Sequence, residues 1–218
     1  MSARAELRRA ILADHLEEVE ALLAADPTLA CADGDDSPLL LALSRGRREV
    51  LEALLRCRPP PTLHEAIALG DDAAVQAHLR GARALMEART PDGLTPLQVA
   101  AFFGQASIAN GLLQWGADAR AVTQGEHERN ALHLATWGGH RTVAALLLER
   151  GVPVDEAQDG GLTPLHIAAQ RGDFALASLF VMNGARGDLE TDEGKTPADL
   201  AYEFEHDALA AYLRLHAT

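Results

Sequence analysis

The stretch GLTPLHIAAQRGD, residues 161–173, decides how this chain is read. Thr163 stands directly before Pro164, and an apolar run follows. A threonine hydroxyl can accept a backbone N–H at a helix start, so Thr163 is read as an N-cap. Pro164 then falls at the first helical position, where its missing N–H costs nothing. Leu165 with Ala168 or Ala169 supplies one apolar stripe, and Gly172 permits the left-handed residue that ends the helix. A second helix is expected from about Phe174 to Met182, stopped by Gly184.

The same pattern recurs along the chain. With Ala168 as the anchor, equivalent alanines are Ala10, Ala42, Ala66, Ala100, Ala135 and Ala201. Most neighbours are 32 to 35 residues apart. Gly46, Gly70, Gly104, Gly139 and Gly172 each fall four residues after their alanine, and Gly116, Gly151 and Gly184 each fall sixteen after. A fixed period of this size is the mark of a stacked repeat protein. A two-helix unit cannot cover its own apolar face, so its stability comes from its neighbours. Expected repeats are 5–32, 37–60, 61–88, 92–124, 127–157, 160–190 and a cap at 193–216. They form one all-α domain of six or seven helix-turn-helix units.

Two spacings depart from the rule. Ala42 to Ala66 is only 24 residues and contains Pro59-Pro60-Pro61 in place of a turn finger. Ala100 to Ala135 is 35, so the finger VTQGEHERN (122–130) is about two residues longer.

Composition agrees with helices. Of 218 residues 48% are hydrophobic and only 4% aromatic. Ala and Leu favour helix, and the few β-branched residues disfavour a large sheet. The formal net charge of -13 argues against nucleic acid and against an anionic membrane surface. Residues 155–218 hold twelve Asp/Glu against four Lys/Arg, a local net of -8 that suits a basic partner. Cys31 and Cys57 make neither a disulfide framework nor a metal site and are expected as buried, reduced thiols in a cytoplasmic protein. Neither a signal peptide nor an apolar run of about 18 residues is apparent. Only Lys195 among the nineteen basic residues is lysine, a bias associated with GC-rich, bacterial coding.

The residues Thr95-Pro96-Leu97, Thr163-Pro164-Leu165-His166, the Ala-Ala pairs after them and GAD at 116–118 resemble the ankyrin repeat family, over about residues 5 to 208. The resemblance implies an L-shaped solenoid with short β-turn fingers. Inner helices and finger tips would line a concave groove, and outer helices the back. It also implies that His64, His133 and His166, which share one slot, bond the Thr of their own motif and neighbouring backbone. Gln98 and Asp199 stand in that slot elsewhere. A zinc column is disfavoured, because adjacent repeats lie about 10 Å apart while zinc needs ligands converging at ~2 Å.

No motif for catalysis assembles. GKT at 194–196 lacks the first glycine of a phosphate loop, since residue 189 is Leu189. The run from His127 is not H-E-x-x-H, since residue 131 is Ala131. The acidic pairs Asp35-Asp36 and Asp71-Asp72 fall at turns or helix starts. No cofactor is expected.

By analogy with the family's binding surfaces, the two residues before each terminal glycine face the groove. They are Ser44-Arg45, Ala68-Leu69, Phe102-Phe103, Trp137-Gly138, Gln170-Arg171 and Glu203-Phe204. Phe102, Phe103 and Trp137 are expected to form one apolar patch, with Arg129 and Arg171 pairing to acidic or carbonyl groups. Asp159, Leu162, Asp192 and Glu193 join Arg89, Asp92, Leu94 and Lys195 on the finger-tip rim. The expected function is binding of a protein or peptide in the groove by a protein that is monomeric when free, as adaptor, scaffold or inhibitor. The alternatives are a metal-binding or enzymatic protein using the repeat histidines, and a self-associating structural protein.

Overall fold

In the computed structural model of the chain, the described residues are 2–31, 37–57, 61–90, 92–124 and 128–216. The pair Asp35-Asp36, the residues Pro59 and Pro60, and His127 with the middle of the 122–130 finger lie outside them.

Each inner helix is set at its start by an N-cap residue. Thr163 is extended at φ -81°, ψ 165°, and its hydroxyl accepts the His166 N–H at the start of α11 (Pro164–Gln170). Thr95 does the same for α7 (Pro96–Phe102) and Thr196 for α13 (Pro197–Glu203), both with Pro at the first helical position. Asn130 takes the threonine's place before α9 (Ala131–Gly138). Each of these inner helices is followed by an outer partner. The partners are α8 (Ala106–Gln114), α10 (Arg141–Glu149), α12 (Phe174–Met182) and α14 (Asp207–His216). The expected second helix, 174–182, is α12 with the same bounds.

Residues 93–218, with 86–88, form one compact unit. Within it the inner helices α7, α9, α11 and α13 pack in sequence, while α8, α10 and α12 pack side by side behind them. Leu97, Leu112, Leu132, Leu147, Leu165 and Phe180 are fully buried between the layers. Residues 1–85, with 89–92, form the other unit. It contains α1 (Ala3–Ala13), α2 (Leu16–Ala25), α3 (Pro38–Ser44), α4 (Arg48–Cys57), α5 (Leu63–Leu69) and α6 (Asp72–Gly81). Here α1, α3 and α5 pack in order, and Leu7, Ile11, Val19, Leu23, Val50 and Leu54 make a shared core. No strand occurs among the described residues, and a single antiparallel bridge joins Gln158 to Leu162 across one finger.

Two expectations need correction. His64 does not share the slot of His133 and His166. Only eight positions separate the N-cap Thr62 from the left-handed Gly70, against nine from Thr163 to Gly172, so the third helical position falls on Glu65. Glu65 is fully buried, and its carboxylate accepts the Thr62 N–H and the Ser37 hydroxyl. The cysteines are not both buried. Cys31 is half-buried, and Cys57 is exposed at the last residue of α4.

A second set of contacts joins the layers through histidine rings, at positions the sequence analysis passed over. His140 and His206 each stand five residues after their anchor alanine. The His206 ring lies so close to Gly172 that a Cβ there would sit 2.5 Å from it. Gly172 is therefore favoured twice, by its φ of +68° and by this contact. Glu205 holds the equivalent turn at φ +64° without being glycine. A left-handed non-glycine residue costs about 1–2 kcal/mol, partly offset by glycine's greater chain entropy when unfolded. Gly172→Ala is expected to lose about 2–4 kcal/mol in urea melts, through strain and displacement of His206. Glu205→Gly at the same turn position is expected to gain about 0.5 kcal/mol. Equal losses at both sites would show that backbone strain is not what distinguishes them.

Candidate groove in residues 93–216

The slot three residues after each N-cap sets the geometry of the fingers. His166 is fully buried. Its Nδ1 is 2.8 Å from Thr163 Oγ1, and its Nε2 lies 3.1 Å from the carbonyls of Leu189 and Lys195. The threonine hydroxyl can donate to Nδ1, so a neutral ring with its proton on Nε2 satisfies every partner. Gln98 does equivalent work without a ring. Its Oε1 accepts the Thr95 N–H, and its Nε2 donates to the carbonyls of Ala121 and Arg129. In both layers one side chain ties its own cap to the finger of the next repeat. His166 bonds the Thr of its own motif and neighbouring backbone, as the resemblance implied, whereas His133 does so with Asn130 in the threonine's place. Among the described residues no three His, Cys, Asp or Glu side chains are grouped to hold a metal ion.

His133 is placed in the same way but is less well matched. Its Nε2 is 2.9 Å from the Glu156 carbonyl and its Nδ1 is 2.8 Å from Asn130 Oδ1. Asn130 Nδ2 donates to Glu156 Oε2 at 2.8 Å, and its Oδ1 accepts the N–H groups of Leu132 and His133, which fixes the amide's orientation. A neutral imidazole has one proton for two acceptor oxygens, and Asn130 has no hydroxyl to lend. Burial is nevertheless the larger influence and pushes the His133 pKa from 6.5 down to about 4, with nearby Arg129 acting in the same direction.

The candidate contact residues surround this scaffold. Phe102 ends α7 and Phe103 caps it, both half-buried, with ring centroids 5.0 Å apart edge to face. His140 Nε2 donates to the Phe102 carbonyl at 3.0 Å, so a residue that sequence reasoning passed over secures the end of α7. A signal was available in the register His140 shares with His206 and His15. Trp137, near the end of α9, is also half-buried. Among the described residues no ring contact joins Trp137 to either phenylalanine, so the expected patch is a row with one touching pair. Gln170 is half-buried and Arg171 exposed at the end of α11, and Phe204, capping α13, is 44% exposed.

On the finger side, Leu162 and Arg129 are half-buried, and Asp159, Asp192 and Glu193 are exposed. Backbone bonds fix these turns against one another: Gln124 N–H donates to the Gly93 carbonyl and Asp192 N–H to that of Gly160. Lys195 shows that the fingers and the helix ends border one surface. Its Nζ lies 3.1 Å from Glu193 in the finger and 2.7 Å from Glu203 in the last turn of α13. Two buried donors in this region, Trp137 Nε1 and Arg129 Nε, have no acceptor among the described residues. A sealed donor without a partner costs about 1–3 kcal/mol.

The depressed His133 pKa fixes a sign. A neutral buried histidine whose unfolded form titrates near 6.5 contributes stability that is fully present above that pH. It is lost as pH falls from about 6.5 to about 4, because only the unfolded chain takes up the proton. The loss amounts to about 3 kcal/mol at ~1.4 kcal/mol per unit. His133→Gln places in this layer the side chain that Gln98 already uses, and it is expected to remove most of that pH dependence. Urea melts at pH 7.5 and pH 4.5 check it; the same acid loss in both proteins would assign the effect elsewhere.

Comparison with known proteins matches this architecture. Family models for ankyrin repeats cover residues 63–158, in three copies, and 141–181. Together they span more than half of the chain. The human ankyrin repeat and KH domain-containing protein 1 is 37% identical over 92 residues, 42% of this chain and 4% of that protein. The human transient receptor potential cation channel subfamily A member 1 is 34% identical over 96 residues, 44% of this chain and 8% of that protein. The Drosophila melanogaster ankyrin repeat and KH domain-containing protein mask is 37% identical over 83 residues, 38% of this chain and 2% of that protein. The chain thus spans less than a tenth of the length of these relatives. Among the described residues no helix is long and apolar enough to cross a membrane. With its stacked pairs of capped helices and a match to these family models over more than half its length, the chain belongs to the ankyrin repeat family.

Proposed function

We propose that this chain binds a protein or peptide partner in the groove between the fingers and the inner-helix ends of residues 93–216, as an adaptor, scaffold or inhibitor. Ankyrin repeats are generally protein-interaction modules, typically without enzymatic activity of their own. The observation that carries the reading is the half-open aromatic row Phe102, Phe103, Trp137 and Phe204 beside exposed finger tips. Aromatic side chains with an arginine nearby are the usual anchors of an interface, and large rings at the ends of short helices are left half-covered only at a cost in exposed apolar area.

The two orphan donors support the same reading. Trp137 Nε1 and Arg129 Nε belong to candidate contact residues of one repeat. A partner carbonyl reached by a small side-chain rotation would answer either. Arg171 offers an exposed guanidinium next to Trp137's end of α9, its nitrogen 3.4 Å from where a Cβ on Gly139 would sit. Asp159, Asp192, Glu193 and Leu162 form the opposite rim.

The Phe103→Ala, Trp137→Ala double variant tests this. Affinity capture from the native host should retain a partner with the wild type and lose it with the variant. Thermal melting should fall by no more than a few degrees, since both rings are already half in water. A collapse in melting temperature would make the rings core instead, and unchanged capture would move the binding surface elsewhere.

A further inference from the structure

One contact recurs where adjacent layers meet. The residue that follows a left-handed turn lies against the turn residue of the preceding layer. Arg47 donates to the Asp14 carboxylate at 2.9 Å. The His140 and His206 rings lie against Gly104 and Gly172, and the Asp173 carboxylate is 3.8 Å from where a Cβ on Gly139 would sit. At Gly46 that place is open space. Each closed contact needs a turn residue below and a reaching side chain above.

The described residues supply no layer beneath α1 and none above α13, so an unmatched half stands at each. His15 is the reaching residue of the α1 layer, with its side chain 65% exposed. Its Nδ1 lies 3.4 Å from Glu18, and its Nε2 has no partner among the described residues. Glu205 is the turn residue of the α13 layer. It is exposed, and its carboxylate has no partner among the described residues.

Glu205 is also strained where it stands. Asp14 and Glu205 are the non-glycine residues at positive φ among the described residues, at 60° and 64°. The carboxylate of Asp14 is matched by Arg47, whereas that of Glu205 is matched by nothing in the chain. A strained residue that persists without a local reason points to a function. The surface beside it is open as well. Tyr202 directly follows its anchor alanine and is 63% exposed, although Ala101, Thr136 and Ala169 at that position are fully buried. Its ring carries Arg214 at 5.6 Å on the α14 side. On α1 the residue before the anchor is Arg9, which pairs with Glu18 and stays 58% exposed, whereas Val99, Leu134 and Ile167 at that position are buried.

We propose that a second copy of this chain closes the contact. His15 of one copy donates to the Glu205 carboxylate of another, as Arg47 does to Asp14, and Arg9 approaches the open face of Tyr202, where a guanidinium is attracted to the ring. The surface is separate from the groove. Its two halves differ, so copies join head to tail, in rings or open chains, and not as a symmetric dimer. An exposed pair of this kind is weak, so the association belongs to high protein concentration.

Sedimentation of the full chain over a dilution series tests this. The weight-average mass should rise with concentration and fall back as salt is added. Glu205→Gly should weaken association about threefold while raising stability in urea, because it relaxes the turn; a merely structural role would not move the two in opposite directions. His15→Arg recreates the pair of Arg47 with Asp14 and should tighten association about threefold. A monomer at every concentration up to about 1 mM in both wild type and His15→Arg overturns the inference, and so does association that Glu205→Gly leaves unchanged. If Phe103→Ala, Trp137→Ala abolishes the association and Glu205→Gly does not, copies meet through the groove and this inference fails.

Discussion

Four successive layers, those of α5, α7, α9 and α11, depend on one buried polar side chain each, three residues after the N-cap of the inner helix. In the layers of α7, α9 and α11 that side chain reaches back to its own N-cap and forward to the backbone of the next finger. A short helix leaves several N–H groups without partners, and a finger that pairs only at its tips leaves carbonyls open. One residue answers both needs, and sealing it from water makes the geometry costly to abandon. Asp199 shows the requirement by its exception. It caps Thr196 and accepts its hydroxyl at 2.7 Å, but it is exposed, and a short acidic side chain suffices at this layer.

Much of this was legible because caps and glycines act locally. Thr163-Pro164 and Gly172 fix φ and ψ at the two ends of α11 whatever surrounds them, so the bounds of the helix pair could be read directly. What failed was register across a one-residue deletion. His64 looks aligned when counted back from Gly70, but the slot is defined from the N-cap, and Thr62 sits one residue closer. A buried glutamate then takes the role, and its extra reach links it to Ser37 of the preceding cap. No pattern of hydrophobicity marks such a residue. The packing of His140 against Gly104 and Gly138 left only the shared register of His15, His140 and His206 as a trace, because it joins residues from two repeats through the absence of side chains.

The candidate surface was legible as positions rather than as contacts. Counting from the left-handed turn residue after each inner helix, glycine in these repeats except for Glu205 in the last, identified Phe102, Phe103, Trp137, Gln170, Arg171 and Phe204, and all of them keep some exposure. Which rings meet depends on rotamers and on helix spacing, neither of which a repeat alignment contains. Phe102 and Phe103 meet edge to face, the arrangement favoured by ring quadrupoles, whereas Trp137 stands apart with its indole N–H turned inward.

Separating the fixed positions from the free ones explains how such a scaffold can be specific. Slot residues, caps and the glycine under each histidine ring answer to the neighbouring layer, so a change there is felt as stability. Finger tips are held by their backbone: the Asp192 N–H bonds the Gly160 carbonyl whatever side chain residue 192 carries. A side chain such as that of Asp192 can therefore change without disturbing the stack, because the backbone beneath it is held independently of it. Under the proposed function, charge on the finger tips is then free to follow a partner's chemistry, while the end of α7 that carries Phe102 is held by its hydrogen bond from His140.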